Sequence, residues 1–192
     1  MRSNKIIGII LMLLYMVIVL CACSNNQQSE QAKTYYIPPS YYKIAGIQPE
    51  VDVNSIKAKG SDYCKDVYVK DGGMEIKLTK KQLDNVKEEF THQFKEYSDK
   101  LLNINSNYRI EQSSDYTSLT FQVDKQVSKF DIFPNVGMLL TCNATQQILH
   151  TGSSDWSMHV KFVNYNTGKT IAEADLPKDE LTFGEKEWNE SN

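Results

Sequence analysis

Histidine is scarce: the 192-residue chain has three, His92, His150 and His159. None has another four positions away, so the paired-histidine helix motif of metalloproteases is missing. A zinc centre needs three or four converging ligands, and no spacing here proposes one, so no metal and no cofactor is expected. The chain also lacks a GxSxG elbow, a GxxxxGK[ST] phosphate loop, and a cysteine–histidine nucleophile motif. Cys142 and His150 fall eight residues apart on one expected helix, about 12 Å along its axis, beyond the reach of proton transfer. Adjacent carboxylates such as Glu88 and Glu89 read as a solvated helix face. Cationic excess is lacking too. With 21 Lys and Arg against 24 Asp and Glu, the chain has no surplus to neutralise phosphates, and no nucleic-acid partner is expected. Flat adsorption to anionic head groups is excluded on the same ground. No internal repeat is visible.

What is present begins at the N-terminus. Arg2 and Lys5 precede an uncharged, mostly aliphatic run from Ile6 to Leu20, which ends in Leu20-Cys21-Ala22-Cys23. A basic start, an apolar centre and a small-residue exit make a secretory signal. A transmembrane anchor is the rival reading. The aliphatic centre is only 15 residues long, short of the roughly 20 needed to span a bilayer. The last four residues resemble the bacterial lipobox, Leu-x-Ala/Gly-Cys. In that lipoprotein family a diacylglyceryl group is attached to the cysteine sulfur and a peptidase cuts before it. Cys23 follows the small Ala22, whereas Cys21 follows Leu20, so the resemblance implies that residues 1–22 are a signal peptide and that Cys23 carries the lipid. It places the mature chain on the extracytoplasmic face of a cell membrane, held by two or three acyl chains. Removing Arg2 and Lys5 with the signal shifts the formal charge from −3 to −5.

Two cysteines remain. Cys64 and Cys142 are 78 positions apart, without the paired spacing of a zinc or thioredoxin-like site. They are either one disulfide, which export permits, or two isolated thiols.

Residues 24–33 carry no apolar side chain larger than alanine and read as a disordered tether. Thr34–Tyr42 follows with Tyr35, Tyr36, Tyr41 and Tyr42 around the pair Pro38-Pro39. This is either a stiff polyproline-like arm offering aromatics to a glycan or envelope protein, or an arm whose tyrosines lie against the domain. Residues 23–60 are therefore expected to be tether, arm and linker, with the domain at 61–176. From Glu173 to Glu190 seven carboxylates face two lysines, and 177–192 reads as a solvated acidic tail.

Within the domain, Val67 and Val69, then Met74, Ile76 and Leu78, alternate around Asp71-Gly72-Gly73 and read as a hairpin. Thr79 and Gln82 stand at capping-box spacing. Leu83, Val86, Phe90, Phe94, Tyr97 and Leu101 then recur every three or four positions, predicting a helix from Lys80 to Leu102 with Phe90 central to its buried stripe. Tyr108 to Val123 reads as a second hairpin. A shorter helix is expected from Pro134 to Leu149, with Val136, Leu139, Leu140, Ala144 and Ile148 as its apolar face. Trp156 to Ala174 reads as a third hairpin turning at Asn166-Thr167-Gly168. The order implies an α+β fold, two helices on one face of a mostly antiparallel sheet. The pattern over roughly residues 65–175 resembles small lipoproteins of low-GC Gram-positive bacteria, a resemblance that implies no activity.

The sequence thus points to a membrane-anchored, non-enzymatic binding or interaction module. A small envelope hydrolase and the solute-binding component of a transporter are the alternatives.

Overall fold

Alternation that builds a strand begins at Lys33, well before the expected domain start. The computed structural model describes residues 31–124, 129–182 and 184–192, of which Ala32–Asn192 make one compact unit. The lipobox, with Cys21 and Cys23, lies outside the described residues. The elements are β1 (Lys33–Ile37), α1 (Pro39–Ala45), α2 (Pro49–Ala58), β2 (Asp66–Lys70), β3 (Gly73–Leu78), α3 (Lys80–Ile104), β4 (Arg109–Gln112), β5 (Ser118–Val123), α4 (Lys129–Thr151), β6 (Met158–Asn164), β7 (Thr170–Leu176) and α5 (Glu185–Glu190). The protein is α+β. It has two sheets instead of the one expected, in the orders β1-β3-β2 and β4-β5-β6-β7.

The first sheet corrects the expected tether and arm. Tyr35 pairs with Ile76 and Ile37 with Met74 on β3, so the alternating residues of β1 complete an apolar sheet face. The prolines do not prolong an extended arm. Pro39 and Pro49 each sit in the first turn of a helix, α1 and α2, where the missing N–H costs nothing and the fixed φ suits the helix. Tyr35, Tyr41 and Tyr42 are buried. Tyr36, on the other face, donates its hydroxyl to the carbonyls of Lys70 and Asp71 at 3.2 and 3.3 Å. Of the two readings of these four tyrosines, the one that lays them against the domain is the one seen, because burying aromatic area against β3 and the neighbouring helices outweighs leaving it in water. Between β2 and β3 the two-residue turn Asp71-Gly72 has positive φ at both positions, 47° and 75°, the mirror-type turn that matches strand twist. Gly73 is required by crowding: a Cβ there would stand 2.3 Å from the Ile37 carbonyl oxygen.

The capping box of α3 forms as read. Gln82 N donates to Thr79 Oγ1 at 3.2 Å and Thr79 N to Gln82 Oε1 at 2.9 Å. Its apolar stripe behaves differently: Val86 and Leu101 are buried, but Phe90, Phe94 and Tyr97 are only half-buried.

The second sheet holds the antiparallel pairs β4–β5 and β6–β7 and one parallel pair, β5–β6. The parallel pair exists because α4 carries the chain back across the sheet between them, as a parallel connection requires. Phe121 and Phe162 meet across it, ring centroids 4.8 Å apart.

Helix α4 is the axis of the molecule. It starts at Lys129, so Pro134 lies inside it instead of opening it. Residues 139–149 are buried without interruption, where a one-sided face was expected. A helix enclosed on all sides is normally apolar all round; this one keeps polar residues and satisfies each. Asn143 Nδ2 donates to the Tyr116 carbonyl at 2.8 Å, and Gln112 Nε2 donates to Asn143 Oδ1 at 2.6 Å. Gln147 bonds both the N–H and the carbonyl of Ser157, each at 2.9 Å. Toward α3, Gln146 Nε2 donates to Thr91 Oγ1 at 2.7 Å and to the Lys87 carbonyl at 3.1 Å. Toward α1, Thr145 Oγ1 donates to the Tyr41 hydroxyl at 3.3 Å.

The acidic tail is also part of the fold. Trp188 of α5 is buried, and Ser191 locks onto the β6–β7 hairpin through Asn164 Nδ2 at 3.0 Å and Thr167 Oγ1 at 2.6 Å. One tryptophan and a pinned end outweigh the charge of the segment.

Candidate ligand-binding cavity

The half-exposed phenylalanine on α3 has a reason. Between the first sheet, α2, α3 and α4 lies a cavity of about 440 Å³. Ile37 of β1 and Met74, Ile76 and Leu78 of β3 form its floor. Val86 and Phe90 of α3 form one wall, and Gly137, Met138 and Leu149 of α4 another. Ala45, Ile47 and Ile56 complete the apolar lining. Ile47 and Met138 are exposed and mark the mouth. The floor follows from period-two alternation, which places Met74, Ile76 and Leu78 on one face of β3.

Polar groups enter from two places. Lys59, just past α2, holds Glu89 of α3 at 2.6 Å and lies 4.1 Å from the centre of the Tyr63 ring. Gln93 Nε2 donates to the same Glu89 oxygen at 3.2 Å, and Cys142 Sγ stands 3.9 Å from Gln93 Oε1. Burial and the facing Glu89 carboxylate push the Tyr63 phenol upward. Opposite, on α2, Asp52 sits beside the buried Tyr42 hydroxyl, and burial raises its carboxyl above the usual range. Tyr41, buried in the wall, is pushed up to about 12 by desolvation.

Of the residues singled out in sequence, Tyr41 and Cys142 line this cavity. Tyr35, Tyr42 and Cys64 are buried elsewhere in the core. Of the two readings of Cys64 and Cys142, the isolated thiols are the one seen; both are free and buried. Cys64 precedes β2 on one side of the first sheet, while Cys142 lies inside α4 and faces Gln93. Desolvation pushes the Cys142 thiol up to about 12, so it stays protonated and is a poor nucleophile. No imidazole lines the cavity. His159 instead faces solvent on β6, its Nδ1 2.7 Å from Asp175 Oδ1. Among the described residues no group of three His, Cys, Asp or Glu side chains is placed to hold a metal ion, and no helix is long and apolar enough to cross a membrane. An apolar chamber with a few placed polar groups has the general character of small-molecule sites.

The sequence reading missed Asp52, Lys59, Tyr63, Glu89, Gln93 and Gly137. The usable signal was Pro49 followed by Val53 and Ile56, a helix start with an apolar spacing inside the supposed linker. Comparison with known proteins found no matching protein family, no matching curated protein and no matching solved structure.

Proposed function

We propose that the chain is an extracytoplasmic lipoprotein, anchored through Cys23, whose domain binds a small, largely apolar molecule in the cavity beneath α3. The observation that carries the reading is the cavity itself. Its volume, about 440 Å³, lies in the range of roughly 300–1,000 Å³ typical of ligand sites. Its walls are mainly aliphatic and aromatic, and its ionic groups are Asp52 and the Lys59–Glu89 pair. The tyrosine segment is committed to the fold, so recognition belongs to the cavity and not to an arm. Anchoring keeps such a binder close to membrane-borne partners, where even modest affinity suffices.

The test uses the full chain in phosphatidylcholine nanodiscs with dodecanol bearing a photoreactive diazirine. Adducts on cavity residues such as Phe90 and Met138, competed away by excess dodecanol, support the reading. Labelling spread over the surface, or none on the domain, rejects it.

A further inference from the structure

The cavity wall carries three ionic side chains, Asp52, Lys59 and Glu89. Lys59 and Glu89 neutralise each other at 2.6 Å. Asp52 has no such partner: none of the ion pairs among the described residues includes it. The groups that face it are the Tyr42 phenol on α1, with Tyr41 and Tyr63 also feeling its charge and Glu50 on its own helix acting on Tyr42. None of these supplies positive charge. Among the described residues the mainly apolar lining therefore holds one carboxylate without a cationic partner.

We infer that the ligand is an amphiphilic cation, an apolar body carrying an amine or other cationic group that seats against Asp52. This inference rests on the cavity being the binding site. A carboxylate removed from water is costly alone and favourable beside a cation. Burial already disfavours the ionised form of Asp52, and an ammonium group beside it favours that form by direct attraction, which is strong where water is excluded. A fatty-acid carboxylate in the same place meets like charge and is rejected. A neutral alcohol meets neither effect.

The experiment compares three photoreactive dodecyl probes, the amine, the alcohol and the carboxylate, on the full chain in phosphatidylcholine nanodiscs near neutral pH. The amine should label cavity residues at about tenfold lower concentration than the carboxylate. Asp52→Asn should bring the amine to the level of the alcohol measured on the same variant. Ser55→Lys, three positions along α2 and also in the lining, should do the same by giving Asp52 an internal cation. Alcohol labelling in each variant reports that the cavity is intact; where it is lost, the ranking on the native chain decides. A carboxylate that labels as well as the amine, or an amine indifferent to both variants, overturns the inference and leaves the cavity reading standing. Failure of all three probes to label the cavity rejects the site itself.

Discussion

Gly137 offers the sharpest perturbation. It lies inside α4 and lines the cavity, and a Cβ added there meets nothing within 4 Å. Glycine in a helix interior is worse than a good helix former by about 0.8 kcal/mol. Gly137→Leu should recover that amount and lay its side chain into the cavity. Half-burying a leucine adds about 1 kcal/mol, less about 0.7 kcal/mol for lost rotamer freedom. The net gain is about 1 kcal/mol. With a urea slope near 2 kcal/mol per molar for a domain of this size, the midpoint should rise by about 0.5 M. Pulse proteolysis across a urea series measures it on the full chain. In the same variant the added carbons occupy ligand space, so dodecanol labelling at Phe90 should fall at least about tenfold, since even about 1.4 kcal/mol of lost contact suffices for that. A lowered midpoint would mean the space beside Gly137 is filled, and undiminished labelling would mean that the ligand sits elsewhere. Either refutes the reasoning.

Phe121→Ala, in the fully buried stack with Phe162, should cost about 3–5 kcal/mol, whereas Phe90→Ala on the half-open cavity wall should cost only about 1–2 kcal/mol; equal urea shifts would mean that Phe90 is packed and the cavity closed. Gln147→Leu strands the N–H and carbonyl of Ser157 and should destabilise by about 2–3 kcal/mol, against near-neutrality if those groups reach water. Asp52 has a raised carboxyl pKa, so the folded chain holds its proton more tightly than the unfolded one. Its stabilising contribution is complete below about pH 3.9 and is lost as pH climbs through the folded value. Asp52→Asn should abolish that loss and unfold at higher urea than the parent at neutral pH, and an unchanged pH profile would contradict it. Cys23→Ala should leave an unprocessed or released chain by intact mass while Cys21→Ala changes nothing; a mature species starting elsewhere would refute the lipobox reading.

Sequence reasoning succeeded where a pattern is local. Thr79 and Gln82 cap α3 through neighbouring backbone, and Asp71-Gly72 turns a hairpin by its own φ preferences. It failed where the partner is distant. Pro38-Pro39 reads as extended until β3 is known to be waiting for Tyr35 and Ile37. Asn143, Gln146 and Gln147 fall outside the apolar face expected for α4, and their burial was not legible because hydrogen bonds to Tyr116, Ser157 and Thr91 leave no trace in periodicity. The parallel β5–β6 pair escaped for the same reason, since alternation does not record strand direction. The acidic end was judged on charge, but Trp188 decides it.

The cavity was legible only as departures from local rules. Natural sequences agree with their fold at most positions and break agreement where function requires it. Three such breaks meet in one place. Phe90 stands on the apolar stripe of α3 without full burial, Gly137 weakens α4 where no described neighbour needs its space, and Asp52 lines a mainly apolar cavity without an ion-pair partner among the described residues. Each change toward better packing is available by single substitution, and each would close or neutralise the same chamber. A scaffold under selection for stability alone has no reason to keep all three around one volume. A site that must admit an apolar body and fix one polar end does, and stability forgone in this way is the usual cost of a binding site.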